Sequence, residues 1–284
     1  MKKLIGFIGQ GFIGKNYADD FENRGYEVIR YSLEWPYRQN RDRIKDCDVV
    51  FIAVPTPTTP QGFDDSIVRD AVKMIGYGKV AIIKSTIVPG TTESIQAENP
   101  DIFVIHSPEF LTRHTATYDA ANPDRNIIGI PYENDEYRRI AEFILSILPR
   151  APYELVCQAK DAEFVKYGGN SFFYFKNIFF NLFYDLSKEY GANWNLVREA
   201  IASDPRIGDT HTEPINKGGR GAGGDCLIKD FETLLRLYRD GVGHNEGIKI
   251  LESLRNMNIE LLMTSGKDLD LVKGVYGDLV KKYE

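Results

Sequence analysis

Near the N-terminus, Gly9-Gln10-Gly11-Phe12-Ile13-Gly14 separates an apolar run, Leu4–Ile8, from a helical pattern, Phe12–Arg24. Three glycines at this spacing, between a strand and a helix, leave few folds open. Gly9 permits the tight turn, Gly11 lets a pyrophosphate approach the backbone, and Gly14 lets the helix pack closely on the strand. The start of the helix offers unpaired N–H groups and the positive end of its dipole to an anion. The segment predicts a strand–turn–helix unit that holds a dinucleotide.

The pattern continues downstream. Glu27–Tyr31, Asp48–Val54, Val80–Lys84, Ile102–Ile105 and Asn126–Ile130 read as strands, and Asp65–Ile75 and Asp135–Leu148 as intervening helices. Their nearly continuous apolar runs suit parallel strands buried on both faces. The expected fold class is α/β: a doubly wound Rossmann-type sheet over residues 1–150, then a mainly α-helical domain over 151–284. Pro149–Pro152 marks the expected boundary. Between Phe172 and Phe183, nine of twelve residues are Phe, Tyr, Ile or Leu. A helix apolar nearly all round is either a central core helix or one shared with a second subunit, and a homodimer is expected.

Composition excludes several classes. The 284 residues carry a net charge of −6, whereas nucleic-acid binders usually show a basic excess. Cys47, Cys157 and Cys226 lack metal-ligand spacing and do not form a secreted disulfide framework, so no metal is expected. No run has the length of a membrane span. A cytoplasmic protein is expected. At the end of the second strand, where an acid usually holds the ribose, stands Ser32. Glu34 is a substitute on a longer strand; alternatively Ser32 with Arg30, Arg38 or Arg41 holds a 2′-phosphate. NAD is expected, with NADP open.

The densest signal is Gly218-Gly219-Arg220-Gly221-Ala222-Gly223-Gly224-Asp225-Cys226-Leu227-Ile228-Lys229-Asp230. So many glycines imply a backbone that approaches something closely. Asp225 is a candidate N-cap, which places Cys226 in the first helical turn, where the helix dipole favours the thiolate. Asp230 lies one turn on. Cys47 and Cys157 read as small buried hydrophobes.

Taken in order, these motifs resemble the UDP-glucose/GDP-mannose dehydrogenase family. The others are Val54-Pro55-Thr56-Pro57, Lys84-Ser85-Thr86-Ile87-Val88-Pro89-Gly90-Thr91-Thr92, Ser107-Pro108-Glu109-Phe110-Leu111, Asn122-Pro123-Asp124-Arg125, Lys166 with Asn170, and Asp204-Pro205-Arg206-Ile207-Gly208. The resemblance implies a nucleotide-sugar substrate whose 6-hydroxyl is oxidised to a carboxylate in two hydride transfers. It gives Cys226 the role of the nucleophile that forms a thiohemiacetal and then a thioester. Lys166 and Asn170 would bind or polarise the reacting oxygen, and Asp230 would assist a water or Lys166. Glu109 matches a glutamate linked to thioester hydrolysis, Thr86 a water-holding threonine, and Arg206 an arginine that reaches the neighbouring subunit's substrate. The resemblance further implies cofactor contacts at Gly9, Gly11, Phe12, Ile13, Gly14, Ser32, Pro55, Thr56, Thr86 and Lys229. Substrate contacts fall on Glu109, Phe110, Leu111, Lys166, Asn170, Arg206 and Gly223.

Four departures separate the sequence from the family pattern. Arg113 and His114 stand where the family has Glu-Gly, Leu227-Ile228 replaces a leucine or aromatic followed by proline, and Ser32 replaces the ribose acid. The 284 residues end 58 positions after Cys226, so the family's further nucleotide-binding domain is expected to be missing. Two other readings stand beside this one: a two-electron β-hydroxyacid-type dehydrogenase acting on a smaller sugar acid or hydroxy acid, and a catalytically silent relative that binds the cofactor.

Overall fold

The computed structural model describes residues 3–283; Met1, Lys2 and Glu284 lie outside the described residues. The chain forms two compact units, one of residues up to Thr56 with Asp64–Lys166, the other of Pro57–Phe63 with the residues from Tyr167 onward.

The first unit is built on a seven-stranded sheet. Its strands are β1 (Leu4–Ile8), β2 (Glu27–Tyr31), β3 (Val49–Ile52), β4 (Val80–Ile83), β5 (Phe103–His106), β6 (Arg125–Ile130) and β7 (Tyr153–Gln158), in the order β2-β1-β3-β4-β5-β6-β7. All neighbours are parallel except β5 and β6, which run antiparallel. Helices α1 (Phe12–Asn23), α2 (Ser66–Val72), α3 (Thr91–Glu98), α4 (Ala116–Ala121) and α5 (Asp135–Ile147) connect them. β3 and β4 are wholly buried, which is why they read as unbroken apolar runs. Phe7, Phe21 and Phe51 lock α1 onto the sheet, with the Phe7 and Phe51 rings stacked at 4.9 Å. The chain runs from β1 to β2 on one side and returns to β3 on the other. That reversal makes the C-terminal ends of β1 and β3 the switch point of a Rossmann-type sheet.

β7 follows the Pro149–Pro152 segment, where strand signals were expected to stop. Only partly buried at the sheet edge and polar at both ends, it lacks the apolar run of the central strands. The β5–β6 antiparallel pair was equally invisible, because burial patterns do not encode strand direction.

Helix α6 (Ala159–Glu189) is 31 residues long. The second unit continues from its Tyr167 through α7 (Trp194–Ala202), α8 (Asp225–Gly241), α9 (Asn245–Ser265) and α10 (Leu269–Tyr276). Tyr174, Ile178, Phe231, Leu235 and Leu251 form one core cluster, with the Tyr174 and Phe231 rings stacked at 3.8 Å. Phe172, Phe179, Leu182 and Leu186 instead point outward, each about half exposed or more. Thus α6 is not a fully enclosed core helix within a single chain. Among the described residues, no helix is long and apolar enough to cross a membrane.

Candidate functional site

At the switch point, the Gly9 N–H donates to the Tyr31 carbonyl at 2.9 Å, which sets the glycine turn beside the end of β2. Gly9 has φ +89°, and a Cβ there would lie 2.1 Å from the Ala53 carbonyl oxygen. A Cβ on Gly14 would lie 2.0 Å from the Gly9 oxygen, whereas one on Gly11 would meet nothing within 4 Å. The three glycines thus divide their roles: Gly9 and Gly14 are required by the protein's own packing, and Gly11 lines open space. Gly11 is the N-cap of α1 and supplies no side-chain cap, so the helix start is fit to receive a phosphate. Gly11→Ala is expected to leave thermal unfolding unchanged while weakening dinucleotide binding at least about tenfold. Gly14→Ala is expected to cost about 3 kcal/mol or more of stability through overpacking. Calorimetric binding and thermal unfolding of the two variants check this.

Arg30 does not stand ready for a 2′-phosphate. It is buried, and its guanidinium pairs with Asp19 and Glu22 at 2.7 Å each. Ser32 is partly exposed and bonds within its own loop to Glu34. Arg113, in place of the family's acid, lies with its guanidinium 5.7 Å from the Phe12 ring at the start of α1.

The loops after β3 and β4 are clipped together. Ser85 Oγ donates to the Val54 carbonyl at 2.7 Å and accepts the Val54 N–H, and Thr56 Oγ1 donates to the Thr86 carbonyl at 2.7 Å. Pro55 lies exposed between them. Glu163 of α6 anchors the far end of the Thr86 loop. Its buried carboxylate accepts from the N–H groups of Gly90 and Thr92 and from the Thr92 hydroxyl, at 2.6–2.9 Å.

After β5, Glu109 is buried and paired with Lys166. Lys166 Nζ donates to Glu109 Oε1 at 2.8 Å and to the Glu109 carbonyl at 2.7 Å, while Oε2 accepts the Leu111 N–H. Phe110 lies between two cations, Arg125 at 3.8 Å and Lys166 at 5.6 Å from its ring centre. Sequence reasoning missed a further buried charge here. Lys84 is buried, donates to Ser107 Oγ at 3.0 Å and lies 4.5 Å from the Tyr17 ring centre. Burial, offset in part by Glu109 and reinforced by Lys166, pushes its ammonium down to about 7. The clue was an ammonium directly following the apolar run Val80–Ile83 at a strand's C-terminal end. His106 beside it is buried and neutral, pushed down to about 3 by burial and by Lys84.

The sign of the Lys84 effect follows from linkage. From the ordinary lysine value, about 10.4, down to about 7, the unfolded chain holds a proton that the folded one lacks. Stability therefore falls as pH drops through that window. Lys84→Met is expected to flatten the fall, seen as a smaller pH dependence of the melting temperature between pH 7 and 10 than in the wild type.

In the second unit, Asp230 is buried; its Oδ2 accepts from Asn170 Nδ2 and its Oδ1 from Lys229 Nζ, both at 2.6 Å. Asn170 stands four residues beyond Lys166, one turn along α6. Cys226 is exposed, whereas Cys47 is buried and Cys157 partly so. The N-cap of α8 is Gly224, not Asp225, which is already the first residue of the helix. Cys226 is then the second helical residue, still in the first turn. The glycines before it pack against the chain's own α9 and the turn that follows; a Gly223 Cβ would lie 2.2 Å from Asp268 Oδ2. Arg206 is exposed, paired with Asp204 at 2.6 Å. Lys176 of α6 holds its loop by donating to the carbonyls of Ile207 and Gly208.

Two domain models of one family match the chain: the UDP-glucose/GDP-mannose dehydrogenase family NAD binding domain over residues 37–145, and its central domain over 160–260. The UDP-glucose 6-dehydrogenase of Rhizobium meliloti is 31% identical over 245 residues, which are 82% of this chain and 54% of that protein. That of Rickettsia prowazekii is 30% identical over 265 residues, 87% and 58%. The chain thus spans about half the length of the curated relatives it matches. Among solved structures, a UDP-glucose dehydrogenase from Pyrobaculum islandicum superposes with a TM-score of 0.76 at 23% identity, covering 98% of this chain and 85% of that one. A 3-hydroxyisobutyrate dehydrogenase from Mycobacterium tuberculosis gives 0.71 at 16% identity, covering 97% and 99%. At these identities the two structures speak for the fold alone.

Proposed function

Because the chain belongs to the UDP-glucose/GDP-mannose dehydrogenase family, we propose that it oxidises the primary alcohol of a nucleotide sugar to a carboxylate in two steps. The observation that carries this reading is the exposed Cys226 in the first turn of α8, one turn before a buried Asp230 bonded to Asn170. The glycine turn, Ser32, Pro55, Thr56 and Thr86 would hold a nicotinamide dinucleotide, NAD in the first instance, with Lys229 contributing. The bound dinucleotide would supply the hydride acceptor.

An aldehyde carbon must become tetrahedral before it can be oxidised again. The Cys226 thiolate makes it so by adding to the carbonyl, and the oxygen that gains charge is stabilised by the Lys166 ammonium and the Asn170 amide. Oxidation of that adduct leaves a thioester on Cys226. Water, held by Thr86 and deprotonated by Glu109, attacks the thioester carbon, and the thiolate leaves. Phe110, Leu111 and Gly223 are the further candidate sugar contacts.

The test is to incubate the protein with NAD or NADP and a panel of UDP- and GDP-sugars, counting reduced cofactor per sugar. Two per sugar is expected. One per molecule of a simple hydroxy acid would sink the reading in favour of a β-hydroxyacid dehydrogenase, and binding without turnover in favour of a silent relative.

The outward face of α6 supports a homodimer. Phe172, Phe179, Leu182 and Leu186, with Leu196 and Ile250 also exposed, put large apolar side chains in water unless a second copy covers them. Arg206, exposed and paired with Asp204, would then exchange that partner for the substrate bound by the second copy. Sedimentation at micromolar concentration is expected to give twice the chain mass; a monomer there overturns the dimer.

A further inference from the structure

The glycine box before Cys226 is bound along its length by α9 and the turn after it. The Arg220 N–H donates to Ser265 Oγ at 2.9 Å, and Lys267 Nζ donates to the Gly221 carbonyl at 2.8 Å. Asn258, fully buried, brackets Ala222 as a neighbouring strand would, accepting its N–H at 2.6 Å and donating to its carbonyl at 3.0 Å. The Gly224 N–H donates to Asp268 Oδ2 at 2.8 Å. Alternate glycines face this support. A Cβ on Gly219 would lie 2.6 Å from the Lys267 Cβ, one on Gly221 2.9 Å from Asn258 Oδ1, and one on Gly223 2.2 Å from Asp268 Oδ2.

Asp268 is the last clamp before the thiol and an unusual one. It holds φ +53° and ψ +33°, a left-handed conformation that non-glycine residues seldom adopt. That conformation aims its carboxylate back at Gly224 while its carbonyl accepts the Val272 N–H at the start of α10. The strain places one acceptor at the residue that caps α8.

We propose that Asp268 is a positioning residue for Cys226: its carboxylate holds the Gly224 N–H and thereby fixes the first turn of α8 that carries the thiol. The role rests on the reading of Cys226 as the nucleophile. With the cap fixed, the backbone N–H groups of that turn stay aligned to favour a thiolate. With the cap loose, the turn frays and the thiolate loses them.

Two neutral substitutions separate the hydrogen bond from the charge. Asp268→Asn keeps an acceptor for Gly224 and tolerates the left-handed backbone; Asp268→Gly relieves the backbone and removes the acceptor. Iodoacetamide alkylation of Cys226 at pH 7 is followed by peptide mass spectrometry in the full chain, beside thermal unfolding. Asp268→Gly is expected to react about threefold more slowly than Asp268→Asn, the loss of thiolate being the cause. Equal rates, or a faster glycine variant, overturn the proposal. Alkylation needs neither cofactor nor sugar, so a failure of the dehydrogenase reading leaves this outcome standing.

Discussion

Cys226→Ser is expected to stop the reaction at the aldehyde, with acid formation falling on the order of 10³-fold or more. A serine hydroxyl at the same helix start remains protonated near neutral pH and adds poorly to an aldehyde. The adduct that makes a second oxidation possible is then scarce. First-step turnover, which needs no nucleophile, should survive in part. Reduced cofactor per sugar then falls from two toward one, and carbonyl trapping should recover aldehyde. Unchanged acid production would refute the nucleophile. The other two cysteines are built-in controls. Burial pushes the Cys47 thiol up to about 12 and the Cys157 thiol up to about 11, so neither is a nucleophile at neutral pH. Replacing either by serine should leave the product unchanged.

The parts of the site legible in the sequence are those that local chemistry dictates. Gly9 and Gly14 announce a tight strand–helix turn, because a Cβ at either would run into backbone, and Gly11 leaves the helix start open to phosphate. The box before Cys226 is legible as a close approach, but not what it approaches: Asn258 of α9 and Asp268 lie more than thirty residues beyond the residues they bind, and only folding brings them together. The burial of Lys84 depends likewise on Tyr17 and Ser107, from two other elements. Glu163 reads as an ordinary helix-surface acid until α3 starts against it. Even the cap of α8 was displaced by one residue, since an aspartate before a helix and an aspartate opening it look alike in sequence. Motif chemistry is local; burial, which decides whether a charge is latent or solvated, is not.

The pair of Lys166 and Glu109 carries the largest stability effect among these side chains. Both are buried, and the ammonium binds the carboxylate and the carbonyl of the same residue. Lys166→Met leaves the carboxylate stranded away from water with the Leu111 N–H as its one remaining partner among the bonds described, at an expected cost of about 3–5 kcal/mol. Glu109→Gln should cost less, because its amide oxygen still accepts from the ammonium. The informative variant is the double replacement, Lys166→Met with Glu109→Leu. Desolvation of two charges opposes folding, so an apolar pair of similar volume is expected to regain at least half of the loss. Chemical denaturation of the wild type, Lys166→Met, Glu109→Leu and the double variant gives the cycle, and a double variant no more stable than Lys166→Met alone would contradict it. If stability returns while acid formation does not, the ion pair is kept against a folding cost. In that case chemistry at Cys226, rather than the fold, is what requires a lysine and a glutamate at these positions.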